Sequence, residues 1–269
     1  MAKLNVEPNS GALALAAARR VAELVTAAIT RTGTARLCLT GGQTPREMYH
    51  LLGTRAHDGV TAIDWSRVDL FWGDERHVPP DHPDSNYGMA KAALLEPASV
   101  PPERVHRIHA ELPDAADAAR DYDRIVRRFA RETRTFDVML LGLGADAHIA
   151  SLFPHNPLLA GLAGVRDVVR LENDDRATHA SSPRVDAVWA AHLDAWRITL
   201  TPPALLDSDA ILVITSGPGK SGAVRAALEE RERIAEWPAQ LLRAADDRVE
   251  WWLDRDAAAA IKRGSGVIC

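Results

Sequence analysis

Cysteine is scarce: two in 269 residues, Cys38 inside an apolar run and Cys269 at the last position. That leaves no disulfide framework to read, and a bridge between the two is poorly motivated, so the expectation is a reduced cytoplasmic setting. Long apolar runs are missing as well. No stretch approaches the roughly 18 residues a spanning helix requires, and the opening MAKLNVEPNS lacks the apolar core of a secretory signal. The net charge of -5 carries no basic excess, which argues against a general nucleic-acid partner. No internal repeat recurs and no Pro/Ser/Gly-rich linker divides the chain. One domain over residues 1–269 is therefore expected, near the size at which single cores stop growing.

Apolar runs alternate with amphipathic stretches. Ala12 to Thr32 is Ala-rich, with Val21, Leu24, Val25 and Ile29 at spacings of three and four, and predicts a long helix. Arg36 to Thr40 predicts a strand ending in Gly41-Gly42, after which Pro45 opens a helix to Leu52. Further strands are predicted at Val68–Trp72, Phe136–Leu141, Val168–Leu171, Ile198–Leu200, Ala210–Thr215 and Glu250–Leu253. Helices are predicted over Asn86–Leu95, Ala115–Ala130, Lys220–Glu230 and Ala235–Leu242. Ala177 to Ala195 is the least regular interior stretch and reads as a mobile loop. The alternation points to an α/β fold, a single Rossmann-like domain whose mostly parallel sheet carries helices on both faces.

Phe136 to Pro157, FDVMLLGLGADAHIASLFPHNP, holds the densest chemistry. A buried-strand run ends in a glycine turn, then Asp146 and His148 stand two residues apart. Ligands of open α/β sheets sit at the carboxyl ends of strands, so this titratable pair is placed for chemistry. Gly142, Gly144 and Ala147 formally match a dinucleotide fingerprint. That site needs a long helix directly afterwards, and Pro154 and Pro157 allow barely two helical turns. A histidine at the start of even a short helix keeps a proton-accepting form available near neutral pH, and a neighbouring acid can orient its ring. The pair suits a general base. The plainer alternative makes Asp146 a helix cap with His148 exposed beside it.

Ser216 to Ser221 echoes a P-loop, but Ile214 occupies the place of that motif's first glycine. The turn Thr40-Gly41-Gly42-Gln43-Thr44-Pro45 is better placed: two glycines allow close backbone approach, and a helix start directs free N–H groups outward. It reads as a phosphate cradle, or as a tight turn with Thr44 as the helix N-cap. Arg76, in WGDERHVP, could grip a phosphate or carboxylate with both arms of its guanidinium. The same charges could form a solvated loop. His77, Asp81, His82, His106 and His109 fit no metal-ligand spacing, so no metal site is expected.

These segments together resemble the 6-phosphogluconolactonases. Thr40 to Pro45 is similar to that family's SGGSTP turn, and WGDERHVP with Ser85-Asn86-Tyr87 to its WxDER-VP…SN-Y segment. Gly142 to Pro154 resembles its G-x-G-x-D-G-H-x-A-S-L-F-P signature. Arg197 to Thr201 and Ser216-Gly217-x-Gly219-Lys220 match in order and spacing. The resemblance implies hydrolysis of a sugar-phosphate lactone, 6-phospho-D-glucono-1,5-lactone, in the oxidative pentose phosphate route without metal or coenzyme. The sequence itself gives no reason to expect an obligate protein partner, a membrane or a nucleic acid, and a monomer is expected. The resemblance also implies His148 as base, Asp146 as the residue that orients it, and Arg76 on the oxyanion. Thr40, Gly41, Gly42, Gln43, Thr44 and Lys220 would hold phosphate. Arg184 would add a cation where the family carries lysine after Ser-Pro.

Related glucosamine-6-phosphate deaminases continue the same core into F-N-E-P, whose glutamate assists ring opening. Here Phe153 stands at that position, which favours the lactonase. A non-catalytic sugar-phosphate sensor would keep the cradle and lose the base. Three departures stand out: Gln43 for the serine of the turn, Ala147 for the glycine between acid and histidine, and His155 for a glycine. If residue 147 needs a positive φ, alanine costs about 1 kcal/mol. Val185 to Trp196 also looks longer than the family's proline-rich loop.

Overall fold

Six apolar strands lie side by side in one wholly parallel sheet. In the computed structural model, which describes residues 3–54, 59–131, 134–170 and 183–262, these are β1 (Lys3–Glu7), β2 (Ala35–Leu39), β3 (Val68–Trp72), β5 (Phe136–Leu141), β8 (Ser208–Thr215) and β9 (Val249–Asp254). Their order across the sheet is β1-β9-β8-β5-β2-β3. Central β5 is buried along its whole length, as a sheet covered on both faces requires, and so is β3 at the edge. Because β3 returns past β2 to β5, the strand order reverses between β2 and β5. A crevice at the carboxyl ends belongs at such a point.

Helix α1 (Ser10–Thr32) starts where Asn9 Oδ1 accepts the Ala12 N–H at 2.9 Å and stops at Gly33, left-handed at φ 86°. Its buried face, Leu13, Ala14, Ala17, Ala18, Val21, Ala22, Val25 and Ala28, repeats every three or four residues and packs on the sheet and on α2 (Gln43–Gly53). Helix α3 (Asn86–Ala90) runs on into a wider helical turn over Lys91–Leu95. Helix α4 (Ala115–Arg128) lies beyond the β3 edge, where the Tyr122 hydroxyl bonds both the N–H and the carbonyl of Trp72 at 2.8 and 3.0 Å. Helix α5 (Ser221–Leu228) follows β8.

A second sheet was not foreseen: β4 (Asp74–Arg76), β7 (Ala195–Leu200) and β6 (Val185–Ala190), all antiparallel in the order β4-β7-β6. Val185, Ile198 and Leu200 of this sheet join the same buried cluster as the parallel strands. Part of the supposed loop over Ala177–Ala195 is thus a strand. Val185, Val188 and Ala190 are buried while Trp189 is exposed, a near-alternation of inner and outer positions. Residues 177–182 lie outside the described residues.

The strand expected at Val168–Leu171 is also corrected. Residues 165–170 are helical, and Leu171 lies outside the described residues. Asp167 accepts the N–H groups of Ala163 and Gly164 at 3.0 and 3.3 Å, a carboxylate reaching back to a helix start. Only Val168 is fully buried there, so the Val-Val pair has no sheet to enter. The helix expected at Ala235–Leu242 is instead a run of tighter 3-10 turns over Pro238–Arg248. No helix among the described residues is long and apolar enough to cross a membrane.

Candidate active site

Four strand ends meet in one cleft of about 390 Å³: Thr40 after β2, Asp74 after β3, Gly142 after β5 and Ser216 after β8. Each turn is held by a specific bond. The buried Tyr49 hydroxyl accepts the Thr40 N–H and donates to the Thr40 carbonyl, both at 2.9 Å. The Thr40 hydroxyl accepts the Gly142 N–H at 3.3 Å, tying the two strands at the reversal point.

Gly42, at φ 111°, is the N-cap of α2, and no side chain bonds to that helix start. Thr44 is therefore not the cap; it lies inside the first turn with its hydroxyl 2.8 Å from that of Ser216. The free N–H groups at the start of α2 face the cleft that Gln43 and Thr44 line, which is an anion-binding arrangement. Lys220 lines the same cleft. Burial lowers its pKa, and the Asp146 charge pulls it back up.

Asp146 and His148 form the centre. His148 Nδ1 lies 2.6 Å from Asp146 Oδ1, and the same oxygen accepts the His148 backbone N–H at 3.2 Å. Burial pushes the Asp146 carboxyl up, but the hydrogen bond and charge of His148 outweigh it and hold the carboxyl at about 2. An ionised carboxylate only accepts, so Nδ1 carries the proton and Nε2 is left as the atom able to take one. The glycine before this pair is obligatory. A β-carbon on Gly144 would stand 2.1 Å from His148 Nδ1 and 2.5 Å from Asp146 Oδ1.

No helix follows His148. Residues 149–153 form turns around a bridge between Ile149 and Leu152, so no helix dipole acts on His148, and Asp146 holds the Nδ1 edge of its ring. Ala147, Ala150 and His155 are all left-handed, at φ 62°, 48° and 61°. The Phe153 ring rests against the imidazole with centroids 4.5 Å apart.

The WGDER stretch is not a solvated loop. Asp74 and Glu75 are 7% and 2% exposed. Glu75 accepts the backbone N–H groups of Arg76, Asn86 and Tyr87, each at 2.8 Å, and the Ser85 hydroxyl at 3.0 Å. Burial raises its pKa, and the backbone N–H groups pull it back. It anchors the start of α3 and hence Asn86, whose amide donates to the Asp74 carbonyl at 3.0 Å and its carboxylate at 3.3 Å. The other Asp74 oxygen accepts the Ser151 hydroxyl at 2.6 Å. Asp74, Asn86 and Ser216 line the cleft and are not assigned from sequence; for Asp74 and Ser216 the position just after a strand end is the available signal. Arg76 also lines it, with its guanidinium donating to the Asp84 carbonyl.

Arg184 corrects the sequence reading. It is 7% exposed, and its guanidinium pairs with Asp207, at the amino end of β8 and so at the far end of the sheet from the cleft. It does not join the other candidates. His77 Nε2 lies 2.8 Å from the Leu112 carbonyl, His106 pairs with Asp69 at 2.9 Å, and His109 with Asp121 at 2.8 Å. A wider groove of about 1070 Å³ runs past Arg46, His50 and Arg107 and shares only Gln43 with the cleft. Arg107 is committed there to both oxygens of Glu111, at 2.7 and 2.8 Å.

Residues 8–251 match the family model described as glucosamine-6-phosphate isomerases/6-phosphogluconolactonase. A 6-phosphogluconolactonase of Mycobacterium tuberculosis is 35% identical over 265 residues, covering 96% of this chain and 98% of that protein. One from Streptomyces coelicolor is 35% identical, covering 92% of this chain and 90% of its own length. The crystal structure of a 6-phosphogluconolactonase from Shewanella baltica superposes with a TM-score of 0.76 at 25% identity, over 94% of this chain and 98% of that one.

Proposed function

The chain belongs to the glucosamine-6-phosphate isomerase/6-phosphogluconolactonase family, and from that premise we propose that it hydrolyses 6-phospho-D-glucono-1,5-lactone to 6-phosphogluconate. The observation that carries the reading is His148, paired with Asp146 at 2.6 Å, on the same cleft as the uncapped start of α2. His148 Nε2 takes a proton from water as the water oxygen attacks the lactone carbonyl. Asp146 keeps the imidazole in that tautomer and stabilises the imidazolium that forms.

Arg76 and backbone N–H groups stabilise the oxyanion of the tetrahedral intermediate. Its collapse breaks the bond between C1 and the ring oxygen, and the ring oxygen receives the proton held by His148. The phosphate is held by the N–H groups and hydroxyls of Thr40 to Thr44 and by Lys220. These steps call on no metal or coenzyme. We place the reaction in the oxidative pentose phosphate route, carried out by a cytoplasmic monomer of one α/β domain.

Phe153 supports hydrolysis over deamination of an amino sugar phosphate, because a benzyl ring next to His148 carries no proton to a sugar ring oxygen. The test sets lactone hydrolysis and glucosamine-6-phosphate deamination side by side on purified protein. Lactone turnover above the uncatalysed rate is expected, and His148→Ala should lose at least about 100-fold while its circular dichroism is unchanged. Ammonia release without lactone turnover would overturn the reading, as would an unimpaired His148→Ala variant.

A further inference from the structure

We infer that His192, at the tip of the β6–β7 hairpin, is a positioning residue for His148 and acts through the ring of Phe153. The inference rests on the lactonase reading, in which the direction of His148 Nε2 matters. Phe153 packs against His148 in a tilted contact, 4.5 Å between centroids and 52° between planes. His192 in turn meets Phe153 edge-on, at 4.6 Å and 72°. The three rings form a continuous row ending at the base.

The row is needed because a single hydrogen bond leaves an imidazole free to rotate about its own axis. Asp146 fixes the Nδ1 edge; Phe153 covers the ring. Yet Phe153 is itself only half-buried and sits in a stretch with left-handed backbone at Ala147, Ala150 and His155. Non-glycine residues persist there only where their surroundings hold them. His192 supplies that support from outside the stretch. Its own position comes from the hairpin: Ala190 pairs with Ala195, a 3-10 turn over Ala191–Leu193 bridges them, and Asp194 at φ 49° turns the chain back. The root of the hairpin is tied to the site, since the Thr199 hydroxyl accepts the Ser151 N–H at 3.3 Å and Thr199 pairs with Asp74. His192 and Phe153 are not among the cleft-lining residues. They support the base from behind and do not touch substrate.

The test is a double-mutant cycle of His192→Ala and Phe153→Leu, with His192→Phe as the conservative variant. His192→Ala should lower kcat roughly three- to tenfold, the range an aromatic contact can hold, with KM within about twofold and Tm little changed. His192→Phe should restore kcat, and His192→Ala should add nothing in the Phe153→Leu background. Losses that multiply in the double variant, or a His192→Ala kcat equal to the parent's, would overturn the inference while leaving a lactonase inactivated by His148→Ala intact. If the parent itself shows no turnover, the lactonase reading fails instead. The imidazole 1H–15N signals of His148 then decide the contact: a shift in His192→Ala supports it, and unmoved signals overturn it.

Discussion

Gly41 lies so close to Asn86 that a β-carbon at residue 41 would stand 1.9 Å from the Asn86 side-chain oxygen. The carboxamide is not free to retreat, because its nitrogen donates to Asp74 and it is 3% exposed. Gly41→Ala should therefore push Asn86 and the Thr40–Thr44 turn apart. A loss of about 1–3 kcal/mol in denaturant unfolding is expected, as for overpacked sites, with kcat/KM down by at least about tenfold. Parent-like unfolding and kinetics would show that the turn relaxes without cost.

Ala147 is fully buried at φ 62°, a conformation that costs an alanine roughly 1–2 kcal/mol. Ala147→Gly relieves that strain but loses about 0.8 kcal/mol of methyl burial and adds freedom to the unfolded chain. The net change should fall within about 1 kcal/mol of zero. Ala147→Val, with a β-branched side chain in the left-handed region, should lose about 2 kcal/mol or more. Chemical denaturation of the three proteins checks the order.

The Asp146 carboxyl should titrate near 2 by carbon-detected NMR. A carboxyl held below its ordinary value stabilises the fold above about pH 4, and that contribution disappears as pH falls toward 2. With Asp146 partly exposed, the contribution is small. In His148→Ala the hydrogen bond and the charge that depress it are gone and burial remains, so the midpoint should rise. A midpoint that stays near 2 would assign the depression to something other than the pair.

Arg184 should matter to stability and not to substrate. Arg184→Met takes a buried charged donor from Asp207, which keeps its bonds from the Thr135 N–H and hydroxyl, and should cost about 1–3 kcal/mol. Tm should drop by several degrees while KM for the lactone stays within about twofold. A KM that rises more than tenfold at unchanged Tm would return Arg184 to the phosphate site.

Where apolar runs carried the information, element and boundary agreed: Val68–Trp72 and Phe136–Leu141 end where the sequence expects. Glycine chemistry was equally readable, since Gly41, Gly42 and Gly144 sit where backbone or side chains approach closely or φ is positive. Short polar strands were not readable. Asp74-Glu75-Arg76 looks like a solvated charge run, and only pairing with β7 and capping of α3 bury it. Arg184 reads as a cation near the site because sequence order does not say which end of the sheet a side chain meets.

The chain alone determined the alternating α/β plan and the residue types of the site. It also determined the presence of a carboxylate and an imidazole two positions apart after a strand. Local propensity and period are written residue by residue, so they survive without a partner. Tertiary structure decided what those residues face. The parallel register brings the ends of β2, β3, β5 and β8 to one edge, turns rather than a helix present His148, and a hairpin lays His192 behind Phe153. Those relations join residues up to 176 positions apart, as from Thr40 to Ser216 in the cleft. They depend on pairing and packing energies that no local stretch contains.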